Sequence, residues 1–322
     1  MKAALRLGAG LCGAVLAISI APGIASGGDD TAGEGAQRNF IAFSRFNPVR
    51  DSLALFRARP DGSHRQHMTQ GAAFFPDWSP DRTRLVFDFP DDEGNEQIGI
   101  VRADGKGFRQ LTDLPGISEV PRFSPDGRTL VFDRSPVLPD EDPNFFTSLW
   151  VMDADGDNPR PLFRPDPDKF DVEPEFSPDG RRIVFARLRF SAGIQEAAIF
   201  TVRADGTGER RITRFTIGLE HPRWSPDGRR IIFDLELGDP ADPAGGIWQI
   251  GANGRNLRQV LPGSSELFGF KPVYSPNGQR ILFGCFIVAQ DQDDLCVMRA
   301  DGSRVRNITR TPNIFENFPV WR

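Results

Sequence analysis

Histidine and cysteine are scarce in this 322-residue sequence, three of each. No Gly-x-Ser-x-Gly elbow, His-Glu-x-x-His pair, phosphate-binding glycine loop or Cys-x-x-Cys pair is present, so the common hydrolase, zinc-protease, nucleotide and thiol-redox sites lack their residues. A basic excess is missing too. The net charge is −5, and losing residues 1–27 takes away Lys2 and Arg6 and no acid, which makes it −7. An acidic chain does not carry the basic footprint of a general nucleic-acid binder. Only one long apolar run occurs, Leu7 to Ile20. It is shorter than the roughly 20 residues of a membrane-spanning helix. It follows Lys2 and Arg6 and leads into small residues up to Gly28, the layout of a signal peptide over residues 1–27. Cys12 lies inside the apolar run behind Leu11, not after a small-residue pair, so it does not read as a lipid-anchor site. Residues 28–38, rich in Gly and acids, cannot bury enough surface to order themselves and read as a flexible leader. The expectation is an exported, periplasmic or extracellular chain with no membrane span after processing.

What is abundant is a repeat. A Pro-x-aromatic triplet recurs at Pro76-Asp77-Trp78, Pro121-Arg122-Phe123, Pro174-Glu175-Phe176, Pro222-Arg223-Trp224, Pro272-Val273-Tyr274 and Pro319-Val320-Trp321. The aromatics are 45, 53, 48, 50 and 47 positions apart, and five of the six run into Ser-Pro-Asp-Gly or a close variant. That tetrapeptide is a turn: Ser caps it, Pro presets φ, and Gly accepts the positive φ that follows. Behind it come β-branched and aromatic runs such as Leu85-Val86-Phe87 and Ile183-Val184-Phe185, which read as buried strands. A third strand ends at Ala-Asp-Gly or a relative, and Arg109-Gln110-Leu111-Thr112 and its copies mark a fourth. Four antiparallel strands in about 48 residues make one propeller blade, so residues 39–322 are predicted to form an all-β, six-bladed β-propeller. Asn39 to Phe46 matches a second strand with no first strand before it. The C-terminal Pro319-Val320-Trp321 strand is therefore expected to close the first blade.

Ser-Pro-Asp-Gly, the Ile/Leu-Val-Phe strand and strands such as Leu149 to Gly156 resemble the WD-like repeat of TolB-type propellers, over nearly all of residues 39–322. The resemblance implies a periplasmic or secreted protein working through protein contacts. TolB also carries a separate N-terminal α/β domain, whereas only the short leader precedes the propeller here, so a role in Tol transport is not implied.

The channel mouth is the place to look for a site. Residues leading into the inner strands include Glu119, Asp171, Glu173, Glu220, His221, Lys271 and Glu316, and the neighbouring loops add Asp91, Asp92, Glu93, Asp140, Glu141, Asp142, Asp239, Asp242, Asp291, Asp293 and Asp294. The opposite face collects arginines such as Arg128, Arg181 and Arg229. An acidic mouth suits a basic partner segment or a cation. Ca²⁺ would find oxygen ligands there, although the EF-hand pattern is absent. Charged loops that merely keep the protein soluble are the alternative. His64 and His67 read as ordinary surface residues; His221, beside Glu220 and Pro222, is the one histidine at the mouth. The tryptophans repeat blade by blade and read as packing. Cys285 and Cys296 fall on the second and third strands of the last blade, where either a cross-strand disulfide or two buried thiols would fit. The reading is a monomeric, non-enzymatic scaffold for a protein or cell-envelope component, without nucleic acid. Alternatives are a hydrolase or lyase of a glycan or lactone using Glu220 and His221, and a small-ligand sensor.

Overall fold

In the computed structural model, which describes residues 39–69, 71–136, 146–191 and 194–322, the Ile/Leu-Val-Phe runs are the second strands of the blades. Consecutive side chains of a strand point to opposite faces. Leu85 accordingly packs toward blade 1 with Ala42 and Leu55, while Val86 packs toward blade 3 with Phe123 and Leu130. Ile183 and Val184 divide in the same way between blades 3 and 5. Both faces are buried, which is why the run is continuously apolar instead of alternating. The hydrophobic core is thus six clusters, one at each blade interface, and the last joins Leu282 and Leu295 of blade 6 to Ile41 and Trp321 of blade 1.

Hydrogen bonding links the strands into five sheets, of which the largest holds two blades joined only by a parallel bridge between Glu96 and Ile117. Separated there, the order is six four-stranded blades. Blade 1 pairs Phe315–Trp321 with Ile41–Asn47, so that Ile41 faces Trp321 and Ala42 faces Val320. The expected closure by the C-terminal strand is what the structure shows. The outer strands are short, most of them two residues. In the fourth-strand motif the threonine takes over: Thr112, Thr213 and Thr309 accept the N–H of Ile98, Ile199 and Leu295 through Oγ1 at 2.8, 2.9 and 2.9 Å. Short outer strands limit the edge open to unwanted pairing.

The Ser-Pro-Asp-Gly turns form as the residues require. Ser124 Oγ accepts the Thr129 N–H at 3.0 Å and donates to Asp126 at 2.6 Å, and Gly127 has φ 70°. Blade 4 departs from the repeat, with a longer hairpin, Arg182–Ser191 with Ile194–Arg203, and an added strand Thr216–Ile217. Cys285 and Cys296 are joined as a disulfide with Cα atoms 5.8 Å apart, both fully buried. The signal peptide and leader expected over 1–38, and the loop acids Asp140, Glu141 and Asp142, lie outside the described residues. No helix among the described residues is long and apolar enough to cross a membrane.

Candidate functional site at the channel mouth

Each inner strand carries one irregularity at one place. The register slips between Phe74 and Asp77, Glu119 and Arg122, Val172 and Glu175, Glu220 and Arg223, and Phe270 and Val273. At each slip the residue before proline has positive φ: Phe75 42°, Val120 53°, Glu173 58°, His221 53°, Lys271 48°, and Phe318 51° in the closing strand. This is a β-bulge, repeated six times, in a backbone region that non-glycine residues rarely occupy. The proline has no N–H to give the ladder, and the bulged residue turns its own N–H away from its blade.

Four of those N–H groups are met by carboxylates from the preceding blade. Val120 donates to Asp88 at 3.0 Å, Glu173 to Asp133 at 2.9 Å, and Lys271 to Asp234 at 3.2 Å. Blade 4 has Ala186 where blades 2, 3 and 5 have Asp, and there Glu173 itself accepts the His221 N–H at 2.6 Å. Asp88, Asp133 and Asp234 were not among the sequence candidates. Their signal was legible, an acid directly after the strand phenylalanine in Phe87-Asp88, Phe132-Asp133 and Phe233-Asp234.

The mouth residues read from the sequence divide into two groups. Glu173, Glu220, His221 and Lys271 come together, with Asp234 and Glu236 beside them and Glu119 near Asp133. Asp171 and Glu316 stand apart: Asp171 is held by Arg187 at 2.5 and 2.9 Å, and Glu316, fully buried at the seam, lies 3.5 Å from Arg45 and 3.9 Å from Arg65. Nearly all of these groups are buried rather than displayed. Asp294, expected on a loop surface, is also fully buried, where it accepts from Gln292 and Asn307 at 3.0 and 2.6 Å. Asp92, Glu93, Asp239 and Asp291 are exposed.

His221 is 4% exposed and lies between two carboxylates, with Nδ1 3.1 Å from Asp234 and Nε2 3.1 Å from Glu173. Burial pushes the ring down to about 4 and Asp234 up to about 8, so near neutrality the ring is uncharged and Asp234 keeps its proton. Burial, then Glu236, raises Glu220 well above the usual range. The Lys271 ammonium sits over Phe318 at 4.4 Å and Phe270 at 5.3 Å. Glu173 Oε1, Glu220 Oε2 and His221 Nε2 have no hydrogen bond among the described residues, although the first and last lie 3.1 Å apart.

Below this layer the middle residues of the Pro-x-aromatic triplets form a belt of alternating charge, Asp77, Arg122, Glu175 and Arg223. Arg122 donates to the Phe75 and Pro76 carbonyls at 3.0 Å each, Asp77 accepts the Phe123 N–H at 2.9 Å, and Glu175 accepts the Trp224 N–H at 2.6 Å. Burial, then Arg223, lowers Arg122 to about 9. Among the described residues no set of three or more His, Cys, Asp or Glu side chains is placed to hold a metal ion, so the Ca²⁺ expectation finds no ligand set. Asp88, Asp133, Glu173 and Asp234 are turned onto backbone N–H groups, and Asp171 and Glu316 onto arginines.

A closed ring of six four-stranded blades with buried carboxylates latching neighbours is the class the geometry defines. No protein-family model matches the chain. TolB from Acinetobacter baumannii is similar in fold, with a TM-score of 0.70 at 19% identity over 88% of this chain and 66% of that one. This chain therefore spans about two thirds of the length of that protein. Hydrazine synthase from Kuenenia stuttgartiensis gives 0.69 at 14% identity over 89% and 47%. Oligogalacturonate lyase from Vibrio parahaemolyticus gives 0.52 at 13% over 84% and 73%. At these identities the likeness is one of fold, the TolB-type propeller.

Proposed function

We propose that the chain is an exported, non-enzymatic scaffold that binds a protein or cell-envelope component through the loop face and channel mouth. The observation that carries this reading is a buried carboxyl oxygen at the mouth without a hydrogen bond among the described residues, Glu220 Oε2, beside the Glu173–His221 pair. Buried polar atoms are almost always paired. This carboxyl is crowded by Glu236, Glu173 and Asp234, so a donor-rich basic segment of a partner is the complement. The same face offers exposed apolar side chains, Val49 and, on the long hairpin of blade 4 and its added strand, Phe190, Ile194 and Ile217. Catalysis would need a positioned acid–base pair within reach of substrate. His221 is 4% exposed, and a carboxylate stands beside each ring nitrogen.

The test is affinity capture from cell-envelope extract with wild type and with Glu220→Ala and Phe190→Ser/Ile194→Ser variants. One envelope component retained by wild type and lost by both variants supports the scaffold. Turnover of a glycan or lactone that Glu220→Ala abolishes would replace it with an enzyme.

A further inference from the structure

The face opposite the mouth carries a second pattern. In blades 2 to 6 the turn ending the third strand bonds to the turn between the first two, as in Ala103 N–H to Thr83 at 2.7 Å, Ala204 to Arg181 at 2.9 Å and Ala300 to Gln279 at 3.0 Å. Both turns therefore share one end of the ring. Just inside them the cross-strand register sets arginine opposite arginine in alternate blades: Arg84 with Arg102, Arg182 with Arg203, and Arg280 with Arg299. Like charges directly opposite each other oppose strand pairing. Their recurrence at one repeat position is not explained by packing.

The turn carboxylates only partly offset these charges. Asp104 pairs with Arg102, and Asp81, Asp205 and Asp301, each held by a hydroxyl of its own turn, also feel Arg84, Arg203 and Arg299. Arg102, Arg203, Arg280 and Arg299 are exposed. At the residue before the first arginine of the outer strand stand Phe108, Leu257 and Val305, which are 55%, 56% and 39% exposed. They precede Arg109, Arg258 and Arg306 in blades 2, 5 and 6.

We propose that this turn face docks on an anionic lipid bilayer. Guanidinium groups pair with headgroup phosphates, and an adjacent apolar side chain enters the boundary of the acyl region. A polyanionic glycan or nucleic acid would use the arginines and leave Leu257 and Val305 without a role, whereas Phe108 also packs on Phe87 and Phe89. Sites spread over three blades of a ring also suit a planar surface better than a strand lying along one groove. The net negative charge of the chain does not oppose this, since exposed charges farther away than a Debye length are largely screened.

The closed ring lies wholly within residues 39–322, so a chain beginning at Asn39 is the unit to test, by co-sedimentation with vesicles. Partition onto phosphatidylglycerol–phosphatidylcholine vesicles should exceed that onto phosphatidylcholine alone by about tenfold or more. It should fall several-fold at high salt without vanishing. Arg102→Gln/Arg203→Gln/Arg299→Gln should remove most of the lipid preference, and Leu257→Ser/Val305→Ser should remove the salt-resistant remainder. Equal partition onto both vesicle types by wild type, which depends on no variant, would overturn the proposal. So would unchanged binding by either variant. Heparin or duplex DNA binding as tight as vesicle binding and untouched by the serine changes would mark a general polyanion surface instead.

Discussion

Asp88 shows how a single side chain at the mouth works. Its carboxyl is buried beside Glu119 and Glu96, which together with burial raise it well above the usual range, yet it accepts the Val120 N–H of the next blade. Asp88→Ala would orphan a buried N–H at a bulged residue, and the expected loss is about 1–3 kcal/mol in urea unfolding. Asp88→Asn keeps an acceptor oxygen and should lose clearly less. Equal losses would mean that packing, not the N–H latch, holds the position. The sequence pointed to the neighbourhood, because the residue before each repeat proline is visible by inspection. It did not reveal that these N–H groups face the previous blade, since that contact spans 32 residues at Val120 and 40 at Glu173 and exists only once the ring is closed. For the same reason Glu173, Glu220 and Lys271 read as displayed charges from the sequence, and the structure buries them.

At the scale of the strand and turn, the repeat was legible almost in full: turn tetrapeptides, apolar triplets and Pro-x-aromatic strands all fall where their chemistry requires. The added strand Thr216–Ile217 was not legible, being two residues without a pattern of their own. The glycines of the Ala-Asp-Gly turns have two reasons to be glycine. Gly302 has φ 93°, and a Cβ there would lie inside contact distance of the Val260 carbonyl of the neighbouring blade, whereas Gly94, at φ 85°, faces open space. Gly94→Ala should therefore cost about 1 kcal/mol for its backbone conformation alone. Gly302→Ala should cost distinctly more, and equal denaturant midpoints would refute the close approach. The disulfide of blade 6 makes a simpler test: denatured but unreduced protein beginning at Asn39 should show no reactive thiol. Reduction should then lower stability by about 2–3 kcal/mol for a loop this short.

The whole molecule combines the buried acids into a dependence on pH. Glu96 and Asp234 are pushed up to about 8 and Glu316 to about 7, each chiefly by burial. In the unfolded chain these groups ionise near 4, so between pH 4 and 8 the folded state holds protons that the unfolded state has released. Their stabilising contribution is complete below pH 4 and is lost as pH rises through 7 and 8. His221, lowered to about 4, acts oppositely: its contribution is present above 6.5 and lost as pH falls through 4. The carboxyls outnumber it, so the urea midpoint should be higher at pH 5.5 than at 8.5. A midpoint that rises over that interval would show that the buried acids stay ionised. Closure makes a second test at this scale. Deleting residues 317–322 removes the partner of Ile41, Ala42 and Ser44 and the Trp321 side chain from the seam core. The truncated chain should lose cooperative unfolding or aggregate; a chain melting like wild type would show that the seam carries no stability.

The pairing of Ile41 with Trp321 also sets an order in time. At about 5–20 residues per second, the ribosome finishes the second strand of blade 1 tens of seconds before it makes the strand that completes that sheet. Through that interval the strand Ile41–Asn47, with its buried Ile41, Ala42 and Phe43, waits with one edge bare, and no earlier segment of the repeat can substitute for Phe315–Trp321 without displacing a blade. Closure of the ring is therefore gated by the synthesis of Phe315–Trp321, and whatever escorts the nascent chain must cover that edge until this strand arrives.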